Sequence, residues 1–324
     1  MTLVVLAAPL ATEAQEPGKV WRIGVLGAGT AARACRRVAC LAADSTAFIQ
    51  GLQEAGYIEG RNLTLEIRIY GGKEDVLPHF AGELVVLRCD VIVAASPYAV
   101  AAATRATRVI PIVGVDLESD PVANGWARSL SRPGGNVTGE FLDLPELAGK
   151  QIQLLREAVP ELSRVAVVWD STIGQVQIRA TEAAARSAGV QAQSLGIRLA
   201  ADLPEAFARS VRANAQGMIV LSSPVLLGLR EEISKLALTH HLPTISLFTS
   251  YPQAGALMAY GPNLAEMYKR LVTYVDRILK GARPGDLPIA RPTRFELVIN
   301  LKTAKALGLT IPPALLQRAD QVIE

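Results

Sequence analysis

The chain has 324 residues, of which 50% are hydrophobic and 19% are charged, and its formal net charge is +3. This composition is typical of a folded globular protein and excludes extensive disorder. The small positive excess is spread along the chain, which excludes a nucleic acid partner, and the length favours two lobes over a single core.

The first 14 residues have the pattern of a cleaved export signal. Residues 3–11 form an apolar run that is too short for a membrane span, which needs about 20 residues. Thr12 and Ala14 supply small residues at the positions that a signal peptidase reads, so we expect cleavage after Ala14. No Lys or Arg precedes the run, which a misassigned start codon would explain. The expected product is periplasmic, with no lipid anchor and no membrane span.

Strand-like and helix-like segments then alternate along the chain, which predicts an α/β fold with parallel sheets. The segment 91–95 is apolar on both faces, as expected for an inner strand, whereas 63–70 alternates apolar and polar residues and belongs at a sheet edge. The predicted strands are 20–26, 63–70, 91–95, 110–115, 165–169, 191–197, 218–221 and 244–247.

Two helices have clear ends. The first begins near Ser45 and stops at Gly56, which is expected to form a left-handed cap. The second covers 263–280, with Asn263 as N-cap, Glu266 as capping-box partner and Gly281 as its stop.

The alternation pauses at the Gly-rich segment 132–139, which predicts a crossing between two lobes. Further crossings are predicted near 257–262 and 284–292, and three crossings together form a hinge. Lobe one is expected to contain residues 15–138 and 257–284, and lobe two residues 139–256 and 285–324.

Four segments, in order across nearly the whole mature chain, resemble the ABC-transporter substrate-binding family of aromatic-amino-acid-binding type. They are FIQGLQEAGYIEGRNLTLEIRIY at 48–70, RPGGNVTG at 132–139, LMAYGPNL at 257–264 and FELVINLKTAKALGLTIPP at 295–313. The resemblance implies the type I periplasmic binding fold, in which two Rossmann-like lobes close on a ligand. It also implies a monomer that delivers a small carboxylate-bearing molecule, first of all an amino acid, to an ABC permease and its ATPase subunits.

In open parallel sheets, ligands bind outside the carboxyl ends of the strands, where helix N-termini offer N–H groups to a carboxylate. Ser96 is therefore either a helix cap or, as the resemblance implies, a contact of the ligand's acid group. Asp116 is favoured as the acceptor of an ammonium group, with Glu118 as the alternative. The candidate ligand-binding residues are Gly29, Thr30, Ser96, Pro97, Tyr98, Asp116, Trp169, Asp170, Ser223, Phe248 and Tyr251.

Two points leave the ligand open. Trp169 and Phe248 at strand ends either stack on a ligand or are ordinary core residues. Residues 31–44, with three Arg and two Cys, stand where similar proteins have a short polar loop beside the cleft. The ligand's identity therefore does not follow from the resemblance.

The three cysteines are Cys35, Cys40 and Cys89, so at least one thiol is unpaired. Cys35 and Cys40 either form a local bridge or are unrelated thiols, whereas Cys89 precedes an apolar strand and is expected to be buried. No Cys/His spacing resembles a zinc site, and no metal or other cofactor is expected.

The alternative function is that of an NAD-dependent oxidoreductase. Gly27, Gly29 and Ala32 fit the pattern G-x-G-x-x-A directly after a strand. However, no acidic residue ends a second strand about 20 residues later, and the clear helix begins only near Ser45. A regulator that shares the fold would need a helix-turn-helix before Val20, where there is no room for one. No catalytic motif is present, so we do not expect an enzyme.

Overall fold

The computed structural model describes residues 19–27, 36, 43–71, 73–142, 144–173 and 175–324. Within these residues, the strands form two sheets, each covered by helices. This arrangement confirms the fold class that the alternating pattern predicted.

The first sheet has five parallel strands in the order β2-β1-β3-β4-β5. The strand predicted to lie at an edge, β2, does so. The strands are β1 (Trp21–Gly27), β2 (Leu63–Ile69), β3 (Val91–Ala95), β4 (Ile112–Asp116) and β5 (Val137–Phe141).

The second sheet has seven strands in the order β12-β11-β10-β9-β8-β6-β7. Neighbours run parallel except β10 and β11, which are antiparallel. The strands are β6 (Arg164–Asp170), β7 (Gln191–Ile197), β8 (Gly217–Val220), β9 (Thr244–Ser246), β10 (Met258–Pro262), β11 (Phe295–Asn300) and β12 (Gln321–Ile323).

Apolar faces of the helices pack on the two sheets and bury three clusters of hydrophobic residues. Cys89 belongs to one of these clusters and is buried, as predicted. The helices are α1 (Ala43–Glu54), α2 (Leu77–Val86), α3 (Pro97–Ala106), α4 (Leu144–Ala158), α5 (Val176–Ser187), α6 (Leu203–Arg212), α7 (Pro224–Gly228), α8 (Arg230–Thr239), α9 (Ser250–Gln253), α10 (Leu264–Leu279), α11 (Leu301–Ala306) and α12 (Pro313–Leu316).

The predicted helix ends agree with the structure. The Oδ1 atom of Asn263 accepts a hydrogen bond from the backbone N–H of Glu266 at 2.7 Å, which caps α10. Gly56 and Gly281 have φ angles of +88° and +98°, which place both in the left-handed region that favours glycine.

The first crossing lies later in the chain than the Gly-rich segment suggested. Residues 137–141 form β5 and still belong to the first sheet, and the chain enters the second lobe only at α4. The glycines have a different role here. Gly139 has a φ of +130°, and any side chain at this position would clash with the backbone of Gly114 on β4. Gly139 therefore permits close pairing of two strands rather than a change of lobe.

The later crossings also differ from the predicted boundaries. The strand β10 lies in the second sheet, although residues 257–284 were assigned to lobe one, whereas α10 packs against α1 and the first sheet. Residues 284–290 remain with lobe one, where Ala290 exchanges backbone hydrogen bonds with Gly139 and Phe141. The chain thus crosses after β5, between β10 and α10, and before β11.

Candidate ligand-binding cleft

The carboxyl ends of the two sheets face each other, and side chains from both lobes meet there. The hydroxyl of Tyr98 at the start of α3 lies 2.8 Å from Oγ1 of Thr172 and donates to Oδ2 of Asp170 at 3.3 Å. The hydroxyl of Ser222 in lobe two donates to Oε1 of Glu118 in lobe one. The described structure is therefore a closed form in which the lobes are hydrogen-bonded to each other.

Ser96 lies between β3 and α3 and caps the helix. Its Oγ atom accepts from the backbone N–H of Ala99 at 3.3 Å and lies 3.2 Å from the hydroxyl of Tyr70. Its φ of +113° is rare for a residue with a side chain, and such backbone strain is frequent at functional sites. Pro97 fills the first helical position and is buried. The cap role is confirmed, and the contact with a ligand stays a prediction.

Asp116 and Glu118 form a buried carboxyl pair beyond β4. Asp116 is 0% exposed, and its Oδ1 atom accepts from the backbone N–H groups of Glu118 at 2.8 Å and Ser119 at 3.0 Å. Its Oδ2 atom is buried and has no hydrogen-bond partner among the described residues.

Both carboxyl groups have raised pKa values. Burial raises the pKa of Asp116, against the lowering effect of its hydrogen bonds. Burial first and then the charge of Asp116 raise the pKa of Glu118 to about 8. The pair therefore carries less than its full negative charge at neutral pH unless a cation approaches it.

Asp170, at the end of β6, is the hydrogen-bond acceptor at the centre of the lobe-two side. Its Oδ1 atom accepts from the backbone N–H and the hydroxyl of Thr172 at 2.9 and 2.6 Å. Its Oδ2 atom accepts from Ser223 at 2.6 Å in addition to Tyr98. Ser223 also caps the short helix α7. Asp170 and Ser223 are thus brought together as the strand-end argument predicted, and they bind each other.

The aromatic residues predicted on lobe two are mostly core residues. Tyr251 is completely buried, and its hydroxyl donates to the carbonyl of Leu226 at 2.7 Å. Phe248 belongs to the same hydrophobic cluster. Trp169 is half-buried and packs with the cluster between the second sheet and α4 and α5. Phe248 and Tyr251 therefore lie in the hydrophobic core of the described structure, and the contact of either with a ligand stays a prediction.

Tyr70 and Tyr98 are the aromatic residues that meet at the cleft. Their ring centroids are 6.4 Å apart with the planes at 77°, an edge-to-face contact. Burial raises the pKa of both phenols, so both hydroxyls stay protonated. Sequence reasoning missed Tyr70, although it closes the alternating segment 63–70 and so stands at a strand end.

A pocket of about 540 Å³ opens beside the bonds that join the lobes. It is lined from lobe one by Glu74, Tyr98, Glu118 and Trp126, among others, and from lobe two by Thr172 and its neighbours. Sequence reasoning did not single out Glu74, Thr172 or Ser222. Only the last of these had a signal, since it directly precedes the predicted Ser223 at a strand end.

Several predictions fall on residues outside the described ones. They include Gly29 and Thr30, the pattern G-x-G-x-x-A beyond Gly27, the signal peptide, and Cys35 and Cys40. Within the described ranges, no set of three or more His, Cys, Asp or Glu residues is arranged to hold a metal ion. No described helix is both long enough and apolar enough to cross a membrane.

Comparison with known proteins identifies sequences and structures that are similar to this chain. The sequence model of the family "ABC transporter substrate binding protein" matches residues 39–323. A tyrosine-binding protein of Clostridioides difficile is 25% identical over 272 residues, which are 81% of this chain and 75% of that protein. The family is one of ligand-binding transport proteins rather than enzymes.

Solved structures show the same fold. A conserved domain protein from Vibrio cholerae is 25% identical, with a TM-score of 0.84 over 94% of this chain and 100% of that one. A domain from Streptococcus pneumonia in complex with L-Trp has the same TM-score and coverage at 21% identity. The two-lobed architecture is therefore that of the type I periplasmic binding proteins.

Proposed function

This chain belongs to the ABC transporter substrate-binding protein family, and from that premise we propose that it captures an amino acid between its two lobes and delivers it to an ABC importer. The observation that carries the proposal is the set of polar side chains, from both lobes, that meet at the carboxyl ends of the opposed sheets. A ligand held there contacts both lobes at once, so its binding energy favours closure.

The ammonium group of the ligand binds at Asp116 and Glu118. Asp116 Oδ2 is buried and accepts no hydrogen bond from any described residue, so it is available to a donor from the ligand. A protonated amine also supplies the positive charge that the pair lacks, and charge-assisted hydrogen bonds are about twice as strong as neutral ones. Asp170, across the cleft, adds a third carboxylate on the lobe-two side.

The carboxylate of the ligand binds at the N-terminus of α3. Ser96 offers its hydroxyl there, and the first turn of the helix offers N–H groups and a partial positive charge. Gly29 and Thr30 complete the site from the loop after β1. The tyrosine-binding and L-Trp-bound relatives favour an aromatic amino acid, for which Tyr70 and Tyr98 provide an aromatic edge.

The remaining parts of the proposal follow from the family. The partner is a membrane permease with paired ATPase subunits that recognises the closed form. The chain acts as a monomer in the periplasm after removal of residues 1–14. The hinge is formed by the three crossings, and none of the proposed steps changes a covalent bond of the ligand.

Calorimetry with matched ligands tests the proposal. We would titrate the chain from Gln15 onward with L-Tyr, L-Trp and L-Phe, with tyramine, which lacks the carboxylate, and with 4-hydroxyphenylpropionate, which lacks the amine. We expect binding of at least one amino acid and much weaker binding of both truncated ligands. Asp116→Asn should lower the affinity for the amino acid by about 10- to 100-fold.

Asp120→Asn is the matched control. Asp120 lies on the same loop, is exposed, and only accepts hydrogen bonds from the backbone N–H groups of Val122 and Ala123. Its substitution should leave the affinity unchanged. Equal affinity for tyramine and L-Tyr would remove the carboxylate site from the proposal. Binding of NAD in place of all amino acids would replace the proposal with the dinucleotide enzyme.

A further inference from the structure

A second concave site lies on lobe one, next to the cleft pocket but outside it. Its volume is about 740 Å³, and it is lined by the end of α3, by the loop after β4 and by the Gly-rich turn before β5. The two pockets share Ala101, Arg105, Asn124 and Trp126. The function proposed above makes no use of it.

The walls of this site carry positive charge only. Arg105, Arg108 and Arg128 line it, and no Asp or Glu does. Within the part of the chain that the structure describes, none of the three guanidinium groups forms an ion pair or a side-chain hydrogen bond. Some other described arginines are paired, as are Arg68 with Glu83 and Arg212 with Glu205, so what distinguishes this site is that three arginines line one concavity.

A position at the end of a helix explains only part of the cluster. Arg105 lies in the last turn of α3, where a cation favours the negative end of the helix dipole. Arg128 comes from a different segment, between β4 and β5, and is directed at the same concavity. Two separate segments thus deliver unpaired arginines to one pocket.

The backbone around Arg128 is fastened in place. The N–H of Arg128 donates to the carbonyl of Pro133 at 2.9 Å, and the N–H of Gly134 donates to the carbonyl of Gly285 at 3.0 Å. Gly134 has a φ of +70°, and a Cβ atom there would lie 3.0 Å from Cδ of Arg128. The positive φ favours glycine at this position, and the missing side chain leaves room for Arg128 to lie against the turn.

The segment after α3, which forms one edge of the pocket, is also fixed by hydrogen bonds. The side-chain amide of Asn136 donates to the carbonyls of Thr107 and Ile110 at 3.2 and 2.9 Å. These bonds tie the segment that bears Arg108 to the turn that bears Arg128. The backbone positions that bear Arg108 and Arg128 are consequently held by hydrogen bonds rather than by free loops.

We propose that this arginine pocket binds a small multivalent oxyanion, such as a phosphate ester or a polycarboxylate. Guanidinium groups hold phosphate and carboxylate oxygens in pairs of parallel hydrogen bonds, and three of them without acidic neighbours favour an anion with more than one charge. The site is a concavity and not a flat face, so the occupant is a soluble small molecule rather than a membrane surface.

Calorimetry with two probes tests the pocket. We would titrate the chain with pyrophosphate and with citrate at low ionic strength, and compare Arg108→Ala and Arg128→Ala with wild type. Arg108 and Arg128 do not line the cleft pocket, whereas Arg105 does, and Arg105 is therefore left unchanged. We expect one anion per chain, an affinity at least about tenfold weaker in each variant, and a loss of affinity as salt is added.

Arg61→Ala is the matched control, because Arg61 is also an exposed arginine of lobe one but does not line the pocket. It should bind both probes like wild type, and all variants should keep the melting temperature and the cleft ligand. Absence of saturable binding up to roughly 10 mM of either probe, or an equal loss in Arg61→Ala, would overturn the proposal. Binding to phosphatidylglycerol vesicles without binding of either soluble probe would overturn it as well.

Discussion

Removal of the Tyr98 hydroxyl isolates the bonds that hold the lobes together. Tyr98 belongs to lobe one, and its hydroxyl reaches Thr172 at 2.8 Å and Asp170 at 3.3 Å on lobe two, besides the Glu74 carboxylate within lobe one. Its ring packs within lobe one, edge-on to Tyr70 and against the hydrophobic cluster there. Tyr98→Phe therefore keeps the packing and deletes the hydroxyl's contacts with lobe two, while the bond from Ser222 to Glu118 remains.

The size of the effect follows from the two distances. The bond to Thr172 joins neutral groups at a normal length and contributes about 1 kcal/mol. The Thr172 hydroxyl already donates to Asp170, so both contacts share the one tyrosine proton. The long contact with the charged Asp170 therefore adds less than the roughly 1.5–3 kcal/mol of a well-formed bond of this kind. Asp170 keeps Ser223 and Thr172 as donors and is not left unsatisfied. We expect closure to be weakened by about 1–2 kcal/mol, which is a factor of about 5 to 30.

Calorimetry and stopped-flow fluorescence check this expectation. The dissociation constant of the amino acid ligand should rise by that factor, mainly through faster dissociation, because the closed form is the one that retains the ligand. Tyr57→Phe is the matched control. Its hydroxyl donates to Asp276 at 2.8 Å, and both residues belong to lobe one. This control should lower thermal stability and leave ligand affinity unchanged.

A dissociation constant within twofold of wild type in Tyr98→Phe would refute the reasoning. An equal loss of affinity in Tyr57→Phe would do so too, because it would trace the effect to general destabilisation rather than to the contact between the lobes.

Two further substitutions, Glu140→Gln and Gly139→Ala, test the crossing region, and Gly149→Ala serves as a control. Burial raises the pKa of Glu140 to about 7, against the lowering effect of Arg270, so the folded state binds a proton more tightly than the unfolded chain. The free energy of unfolding should therefore fall by up to about 3 kcal/mol between roughly pH 5 and pH 8, and urea titrations of Glu140→Gln should show a flatter dependence. Gly139→Ala should cost more than about 3 kcal/mol or prevent folding, because its φ of +130° and the backbone of Gly114 leave no room for a side chain. Gly149 lies in open space within α4, so Gly149→Ala should instead stabilise the chain by up to about 1 kcal/mol. Thermal scans of both glycine variants measure these effects. A Gly139→Ala variant as stable as wild type, or a Glu140→Gln variant with an unchanged pH slope, would contradict these expectations.

Sequence patterns predicted most of the fold because the signals are local. Alternation of apolar and polar residues along 63–70 placed β2 at an edge, and the caps at Asn263, Gly56 and Gly281 fixed helix ends. Each of these features depends on neighbours within a few residues. The lobe boundaries depend instead on which sheet a strand joins, and the segments 139–141 and 258–262 could join either.

The contrast between local signals and long-range contacts also explains which candidate site residues were predicted and which were missed. The strand-end rule placed Ser96, Asp116, Asp170 and Ser223 at the carboxyl ends of strands, where the structure has them, and their contact with a ligand stays a prediction. It could not separate strand ends that face the cleft from those that turn back into the core, as happens at Tyr251. Nor could it find pairs across the lobes, since partners such as Glu118 and Ser222 are 104 residues apart.

The closed cleft contains two buried carboxyl groups without a cationic partner among the described residues, and a ligand with a positive charge can neutralise them. Asp116 and Glu118 are buried together in the described structure, and the raised pKa values mean that a proton partly neutralises the pair when no other cation is present. The ammonium group of an amino acid would neutralise the pair and also fill the hydrogen-bonding capacity left at Asp116 Oδ2. A sugar would satisfy the hydrogen bonds but not the charge, and a simple carboxylate would add to the repulsion. Under the proposed function we therefore expect the two neighbouring buried carboxyl groups to favour ligands with an amine over sugars and simple carboxylates.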